Sequence, residues 1–355
     1  MEKIRAAIIG LGRIASLLED DRLREKPCTH AGAIAADPDC LLTAGCDRDG
    51  ERRRLFAERW KAPVYADAAA MLDAGKPQIL VIATHPDSHA GYCGLAAARG
   101  VPVLVCEKPL ADTLRRARYI ARLAASRGGP VRGGEGRGTR ILVNHERRYS
   151  ADYVRARAIL AEGRMGALSS VRAVLYMGKN KRLLDVLWHD GTHLADAIMY
   201  LSGSVMRHKK AWGARLTGRE GTAWLSGLLI RNAVPPAAAG SAPAAGRGRG
   251  VPVPFIVEIG AGRDHLVFEM EFSCERGRLR IGNGIFEVWE SRESPYAEGF
   301  RSLEKTGETF EGKTGYFSNM IADAAACVRD PLRQPKSSAA DGLRVIEYLR
   351  SVRAW

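Results

Sequence analysis

The sequence predicts an N-terminal doubly wound parallel α/β sheet followed by an α+β domain with a large, mainly antiparallel open sheet. Three observations predict it. Short, continuous Val/Ile/Leu runs alternate with helical patterns through the first third of the chain, as in a parallel sheet covered on both faces. Beyond about residue 150 longer runs alternate apolar with polar residues, as in strands with one solvated face. The chain has 355 residues, too many for one ordinary domain. Residues 1–145 are expected to form the first domain and 146–355 the second, with the C-terminal helix packing back on the first.

Strands are expected at 4–9, 41–47, 78–83, 103–106 and 141–145, with helices at 51–60, 88–99 and 113–126 between them. A helix at 151–162 opens the second domain. In 265–273, Leu266, Phe268, Met270 and Phe272 take one face while Glu269 and Glu271 take the other. Gly282-Asn283-Gly284 reads as a hairpin turn before a strand at 285–289. Helices at 316–328 and 337–352 end the chain. The segments 127–140 and 233–254 are rich in Gly, Pro, Ala and Arg and are expected to be disordered surface insertions.

Composition excludes several classes. A 46% hydrophobic and 26% charged chain without a run of eighteen apolar residues reads as globular, with no membrane span. Seven cysteines, an odd number with no Cys-x-x-Cys pair, read as buried free thiols in a reducing cytoplasm rather than disulfides or a zinc site. The net charge of +14 is carried by scattered residues, 42 Arg and 12 Lys, with no block of five like charges. That pattern speaks against a nucleic-acid partner. It leaves room for attraction of small anions.

The first strand runs into Gly10-Leu11-Gly12-Arg13-Ile14-Ala15, expected to open a helix. In this G-x-G-x-x-A pattern Gly10 permits a tight turn, Gly12 lets the backbone approach a pyrophosphate, and Ala15 lets helix and strand pack closely. A tight turn with no ligand is the plain alternative. The second strand ends at Asp47, where an acid accepts the adenosine ribose hydroxyls and repels a 2′-phosphate. Arg48 follows and can tolerate that phosphate, so NAD is expected and NADP is not excluded. Asp47 can equally cap the helix that begins near Gly50. It lies 37 residues after Gly10, beyond the usual ~20. The excess falls in 19–29, read as an insertion after the first helix and before a second helical start at His30.

After the fourth strand the chain reads Ala83-Thr84-His85-Pro86-Asp87-Ser88-His89, and at the fifth Val105-Cys106-Glu107-Lys108-Pro109-Leu110. With the glycine loop, these stretches resemble the Gfo/Idh/MocA oxidoreductase family, which includes glucose–fructose oxidoreductase and inositol dehydrogenases. Residues 144–149 (NHERRY) are similar to the family's strand-six exit, and Gly191-Thr192-His193-Leu194-Ala195-Asp196 to its later G-x-H-x-x-D. The resemblance covers nearly the whole chain. It implies a Rossmann domain that binds NAD(P) through Gly10, Gly12, Arg13, Ile14, Asp47, Arg48, Thr84, His85, Pro86, His89, Glu107 and Lys108. It also implies a homodimer or homotetramer built on the open face of the second sheet.

Oxidising a secondary alcohol with a nicotinamide needs a hydride acceptor, a base for the hydroxyl proton and a cation beside the developing alkoxide. Lys108, on the strand-end edge where α/β sheets bind ligands, is the expected cation. His193 is the expected base, oriented by Asp196 three residues on. An exposed loop lysine and a core histidine are the competing readings. The family usually carries an aspartate four residues before this histidine, but His189 stands there, followed by Asp190. Either His189 shares the proton chemistry, or Asp190 turns into the role. A His-x-x-x-His zinc site lacks a clear third ligand, and no metal is expected.

Arg147, Arg148, Tyr149 and Asp190 are the expected substrate contacts. The two arginines can clamp a carboxylate or phosphate, or pair with Glu146. Lys179 and Lys181 add further anion contacts. The expected activity is therefore NAD(P)-dependent dehydrogenation of a sugar, cyclitol or sugar acid, with an anionic carbohydrate-like substrate favoured. The same scaffold serves glycoside hydrolases that oxidise a sugar transiently, and dinucleotide-binding regulators without turnover. Having both Lys108 and His193 counts against the regulator.

Overall fold

In the computed structural model, residues 2–125, 138–178, 181–231 and 251–352 are described. The chain divides into two compact units, Met1–Ser150 with Lys313–Ile346, and Ala151–Gly312 with Glu347–Trp355.

The first unit holds β1 (Ile4–Ile9), β2 (Cys40–Cys46), β3 (Val64–Tyr65), β4 (Ile79–Ile82), β5 (Val103–Cys106) and β6 (Arg140–Val143). They form one parallel sheet in the order β3-β2-β1-β4-β5-β6. Every residue of β4 and β5 is buried, which is why these strands are continuous apolar runs. Helices α1 (His30–Ala36), α2 (Gly50–Trp60), α3 (Ala68–Gly75), α4 (His89–Ala98) and α5 (Leu114–Ala125) connect them. The sheet order reverses direction after β1, and the loops that follow β1, β2, β4, β5 and β6 gather on one edge.

The second unit opens with α6 (Ala151–Ala161) and β7 (Leu168–Tyr176), then α7 (Leu183–Asp185) and α8 (Gly191–Ser202). Seven more strands follow: β8 (Ser204–Gly213), β9 (Gly221–Arg231), β10 (Val253–Ala261), β11 (Val267–Cys274), β12 (Gly277–Gly282), β13 (Ile285–Glu293) and β14 (Arg301–Lys305). Their order is β14-β13-β12-β11-β7-β10-β9-β8, antiparallel throughout except where β7 meets β10. Phe268, Met270 and Phe272 are buried and Glu269 and Glu271 are not, as their alternation predicts. Leu266 departs from that pattern: it precedes β11 and is exposed. Asn283 and Gly284, the latter with φ +74°, make the turn between β12 and β13.

Helix α9 (Tyr316–Arg329) returns to the first unit, where Phe317, Met320 and Ile321 join Ile8, Ile34, Phe56, Val81 and Val105 in one core. Helix α10 (Ala339–Val352) spans the division between the units. Of the two expected surface insertions, residues 126–137 and 232–250 lie outside the described residues, as does Lys179. The ends of those segments are ordered strand instead: Arg140 opens β6, and Val253 and Pro254 lie in β10.

The glycine loop does not run into one helix, contrary to expectation. One helical turn forms, with Ser16 and Leu17 donating to the Gly12 carbonyl at 3.1 and 3.3 Å. A short 3₁₀ turn over Leu17–Asp20 then leads the chain away. It returns at α1, whose His30 and Ala31 amides donate to the carbonyls of Ile14 and Ala15 at 3.2 and 2.9 Å. Residues 16–29 are thus spliced into the first helix, not appended after it, and α1 resumes where the first turn broke off.

Side chains fix this strap. Glu19 Oε2 accepts from the Thr29 hydroxyl at 2.6 Å and the Cys28 amide at 3.3 Å. The Lys26 ammonium donates to the carbonyls of Leu18, Glu19 and Asp21. Glu25 accepts from the Thr314 amide and hydroxyl and the Gly315 amide, each at 2.8 Å. Those amides lead into α9, a point where a helix needs outside acceptors.

Candidate active site

The glycine loop fits a dinucleotide pyrophosphate. Gly10 has φ +87°, and a Cβ there would stand 2.7 Å from the Ala83 carbonyl oxygen, so only glycine fits. At Gly12 a Cβ would meet only the Arg52 guanidinium, at 3.8 Å, which leaves that side of the backbone open. Arg13 is exposed and Ile14 half-buried. Asp47, at the end of β2, accepts from the Leu11 amide at 2.8 Å and so clamps the loop. Its other oxygen accepts from the Asp49 amide at 2.9 Å. Asp47 does not cap the following helix. That role falls to Asp49, which accepts from the amides of Glu51 and Arg52. Arg48 is exposed, and the Arg52 guanidinium stands 3.6 Å from the Asp47 carboxylate.

The loop after β4 has an exposed His85 and half-buried Thr84 and Pro86. The Thr84 and Ser88 hydroxyls lie 2.7 Å apart. His89 departs from the expected cofactor contact. It is fully buried, with Nε2 3.1 Å from the Thr84 carbonyl and Nδ1 3.2 Å from that of Leu110. Burial pushes its imidazole down, against the pull of those carbonyls. His89 thus lies beneath the loops after β4 and β5, with one ring nitrogen beside a carbonyl of each.

Glu107 also turns inward. Its Oε1 accepts from Nε2 of His30 at 2.7 Å and from the Asn144 amide at 2.6 Å. Burial alone would raise this carboxyl, but the His30 contact, the Asn144 hydrogen bond and the Lys108 charge outweigh it and hold it at about 2. A ligand does not reach a carboxylate placed there; Glu107 braces the loop that carries Lys108. Lys108 itself is half-buried, and its bond to Pro109 is cis.

The strand-six exit divides between two roles. Arg147 is half-buried and pairs with Glu146 at 3.0 Å. Arg148 and Tyr149 do not meet the solvent edge as expected. Arg148 is buried, 3.3 Å from the Asp341 carboxylate and donating to the Lys336 carbonyl at 3.1 Å. Tyr149 is 1% exposed in the core, with its hydroxyl toward Asp323 at 3.4 Å. The apolar ring and the buried acid at 341 account for both positions. At the start of α9 the Tyr316 phenol lies near Glu146 and Arg24, and burial pushes it up to about 12.

In the second unit, a π-helical turn over Val186–Asp190 precedes α8. Among the described residues of α8, all those from 191 to 201 are buried except His193. Its imidazole therefore marks the point at which an otherwise enclosed helix opens outward. Asp196 is 1% exposed. Asp190, expected to touch substrate, is instead buried between His189 and Lys181. Oδ1 faces Nδ1 of His189 at 3.0 Å and Oδ2 accepts from Lys181 at 2.8 Å. Burial would raise Asp190, but those two partners outweigh it and hold it below the usual carboxylate range. His189 projects outward, its side chain 64% exposed.

Sequence reasoning missed His30, Asn144 as the partner of Glu107, and the strap acids Glu19 and Glu25. The only signal for them was the helical start at His30. Among the described residues no helix is long and apolar enough to cross a membrane, and no three His, Cys, Asp or Glu side chains cluster as a metal site.

A family model described as an oxidoreductase family with an NAD-binding Rossmann fold matches residues 4–134. The chain is similar to D-apiose dehydrogenase of Paraburkholderia graminis, 30% identical over 178 residues, 47% of this chain and 44% of the relative. It is also similar to inositol 2-dehydrogenase of Pseudomonas fluorescens, 29% identical over 165 residues, 46% of this chain and 43% of the relative. The alignment thus spans under half the length of these curated relatives. Among solved structures, an oxidoreductase from Agrobacterium radiobacter in complex with NAD+, L-tartaric acid and magnesium aligns with TM-score 0.67 and 17% identity, over 98% of this chain and 94% of that one.

Proposed function

We propose that the chain, whose residues 4–134 match the model of an oxidoreductase family with an NAD-binding Rossmann fold, is a Gfo/Idh/MocA oxidoreductase that oxidises a secondary alcohol of a carbohydrate-like substrate with NAD(P). The observation that carries the reading is the sheet edge where the open Gly12 backbone, the Asp47 carboxylate and Lys108 follow β1, β2 and β5, with β4 between β1 and β5. The turn amides at Arg13 and Ile14 and the Gly12 backbone would hold the pyrophosphate. Asp47 would accept from the ribose, and the loop from Thr84 to Pro86, with Lys108, would line the nicotinamide end. When bound, the nicotinamide supplies the hydride acceptor.

The chain's own residues then handle charge and proton. The Lys108 ammonium donates to the reacting oxygen and favours its alkoxide-like form. His193 takes the hydroxyl proton. The substrate class rests on the sugar and cyclitol dehydrogenases to which the chain is similar. A sugar, cyclitol or sugar acid is the proposed substrate, with oligomers formed through the open face of the second sheet.

A panel of inositols, aldoses, uronates and aryl glycosides incubated with NAD or NADP tests this. Reduced cofactor should appear with one ketone per turnover, and Lys108→Met and His193→Ala should each lower turnover by about 10²-fold. Released aglycone without net reduced cofactor would instead mark a hydrolase.

A further inference from the structure

We propose that His30 is a positioning residue that couples the glycine loop to Lys108, so that a dinucleotide phosphate bound at the loop steadies the lysine loop two strands away. The inference rests on the readings of the glycine loop as the phosphate site and of Lys108 as the cation beside the reacting oxygen.

The sheet itself does not supply this link. β4 lies between β1 and β5, and neighbouring strands stand about 4.8 Å apart, so the loops after β1 and β5 start about 10 Å apart. The His89 ring lies beside carbonyls at 84 and 110, and neither belongs to the glycine loop. His30 spans the gap. Its backbone amide donates to the Ile14 carbonyl at 3.2 Å, and the Ala31 amide donates to that of Ala15 at 2.9 Å. Its Nε2 lies 2.7 Å from Oε1 of Glu107. The other oxygen of Glu107, Oε2, accepts from the Lys108 amide at 3.2 Å.

These contacts leave little slack. His30 is fully buried, and its ring meets Phe317 edge-on at 5.1 Å. Asn144 donates to the same Glu107 oxygen at 2.6 Å. An ionised carboxylate only accepts, so Nε2 of His30 carries the hydrogen of that bond. Because residues 16–29 leave the first helix, the glycine turn meets α1 through the two amide bonds at His30 and Ala31. A phosphate held by the amides of Arg13 and Ile14 orders the same turn whose carbonyls hold His30. Ordering that turn orders the ring, and the ring orders Glu107 and the Lys108 amide. By linkage the effect is reciprocal: whatever fixes the Lys108 loop tightens phosphate binding by the same factor.

The test is hydrogen exchange, read by mass spectrometry on the full chain alone, with ADP and with adenosine. ADP carries the two phosphates but neither the second ribose nor the nicotinamide, so it leaves the Lys108 loop uncovered. In the native protein ADP should slow exchange of the amides in 107–111 about fivefold, and adenosine should not. His30→Gln keeps an N–H for Glu107 and should keep the effect. His30→Leu should still bind ADP and lose it, whereas a merely structural His30 would leave the ADP effect intact in every folded variant. Exchange at 107–111 unchanged in the native protein with ADP bound would overturn the coupling, without recourse to any variant. Equal slowing in His30→Leu would overturn it too, since transmission would then bypass the ring. Failure of the native protein to bind millimolar ADP would remove the phosphate reading of the glycine loop and the coupling with it.

Discussion

Nε2 of His30 lies 2.7 Å from the Glu107 carboxylate, across 77 residues of sequence. This contact joins the strap-interrupted first helix to the loop that presents Lys108. It makes the loop's geometry depend on α1 being in place, and α1 in turn depends on the strap.

The first prediction concerns this buried carboxylate. Glu107 is held at about 2, well below the ordinary glutamate range. A depressed carboxyl contributes stability that is fully present above its unfolded value and disappears as pH falls through the folded one. The shift corresponds to roughly 3 kcal/mol. Urea unfolding of the native protein and Glu107→Gln should show a constant gap from about pH 7 to 5, narrowing between about pH 4.5 and 2. A gap that persists unchanged to the lowest pH would contradict the ionised, His30-bonded state.

How much of this was legible varies by element. The parallel strands were readable because each is an uninterrupted apolar run; 4–9 and 103–106 match β1 and β5 to the residue. The splice was not, because it consists of amides at 30 and 31 meeting carbonyls at 14 and 15. No local pattern records a contact of that separation. Arg148 and Tyr149 look like surface residues in sequence, but Asp341 and Asp323, nearly two hundred residues away, draw them inward. Glu107 and His89 read as ligand contacts because they sit beside the residues that line the edge. Their inward hydrogen bonds depend on which side of the loop each faces, which spacing does not reveal.

Cofactor choice follows from Asp47. Its carboxylate clamps Leu11, and in the proposed site it would set a negative charge against a 2′-phosphate. Asp47→Asn keeps an oxygen for the Leu11 amide and removes the charge, and Arg52 at 3.6 Å is then released toward a phosphate. The native protein should bind NAD more tightly than NADP, and Asp47→Asn should narrow the ratio by about tenfold. Tryptophan-fluorescence titration with both cofactors measures it; tighter NADP binding by the native protein would overturn the assignment.

The two adjacent arginines should part ways. Arg148→Ala strands Asp341 in a buried setting and should lower stability by about 3 kcal/mol. Arg147, half-buried beside Glu146, is the proposed anion contact. Arg147→Ala should lower kcat/KM for a uronate about tenfold more than for the matching neutral sugar. Equal losses for both sugars would remove Arg147 from substrate recognition, and an Arg148→Ala protein as stable as native would refute the buried pair.

Hydride transfer from substrate carbon to nicotinamide is the central claim, and deuterium tracks it directly. The measurement is mass spectrometry of the NADH and ketone recovered after oxidation of a substrate deuterated at the reacting carbon. The account predicts one deuterium in each NADH, in equal amount with the ketone, and none in the solvent. Deuterium retained in the sugar with aglycone released, or NADH formed without label, would contradict it.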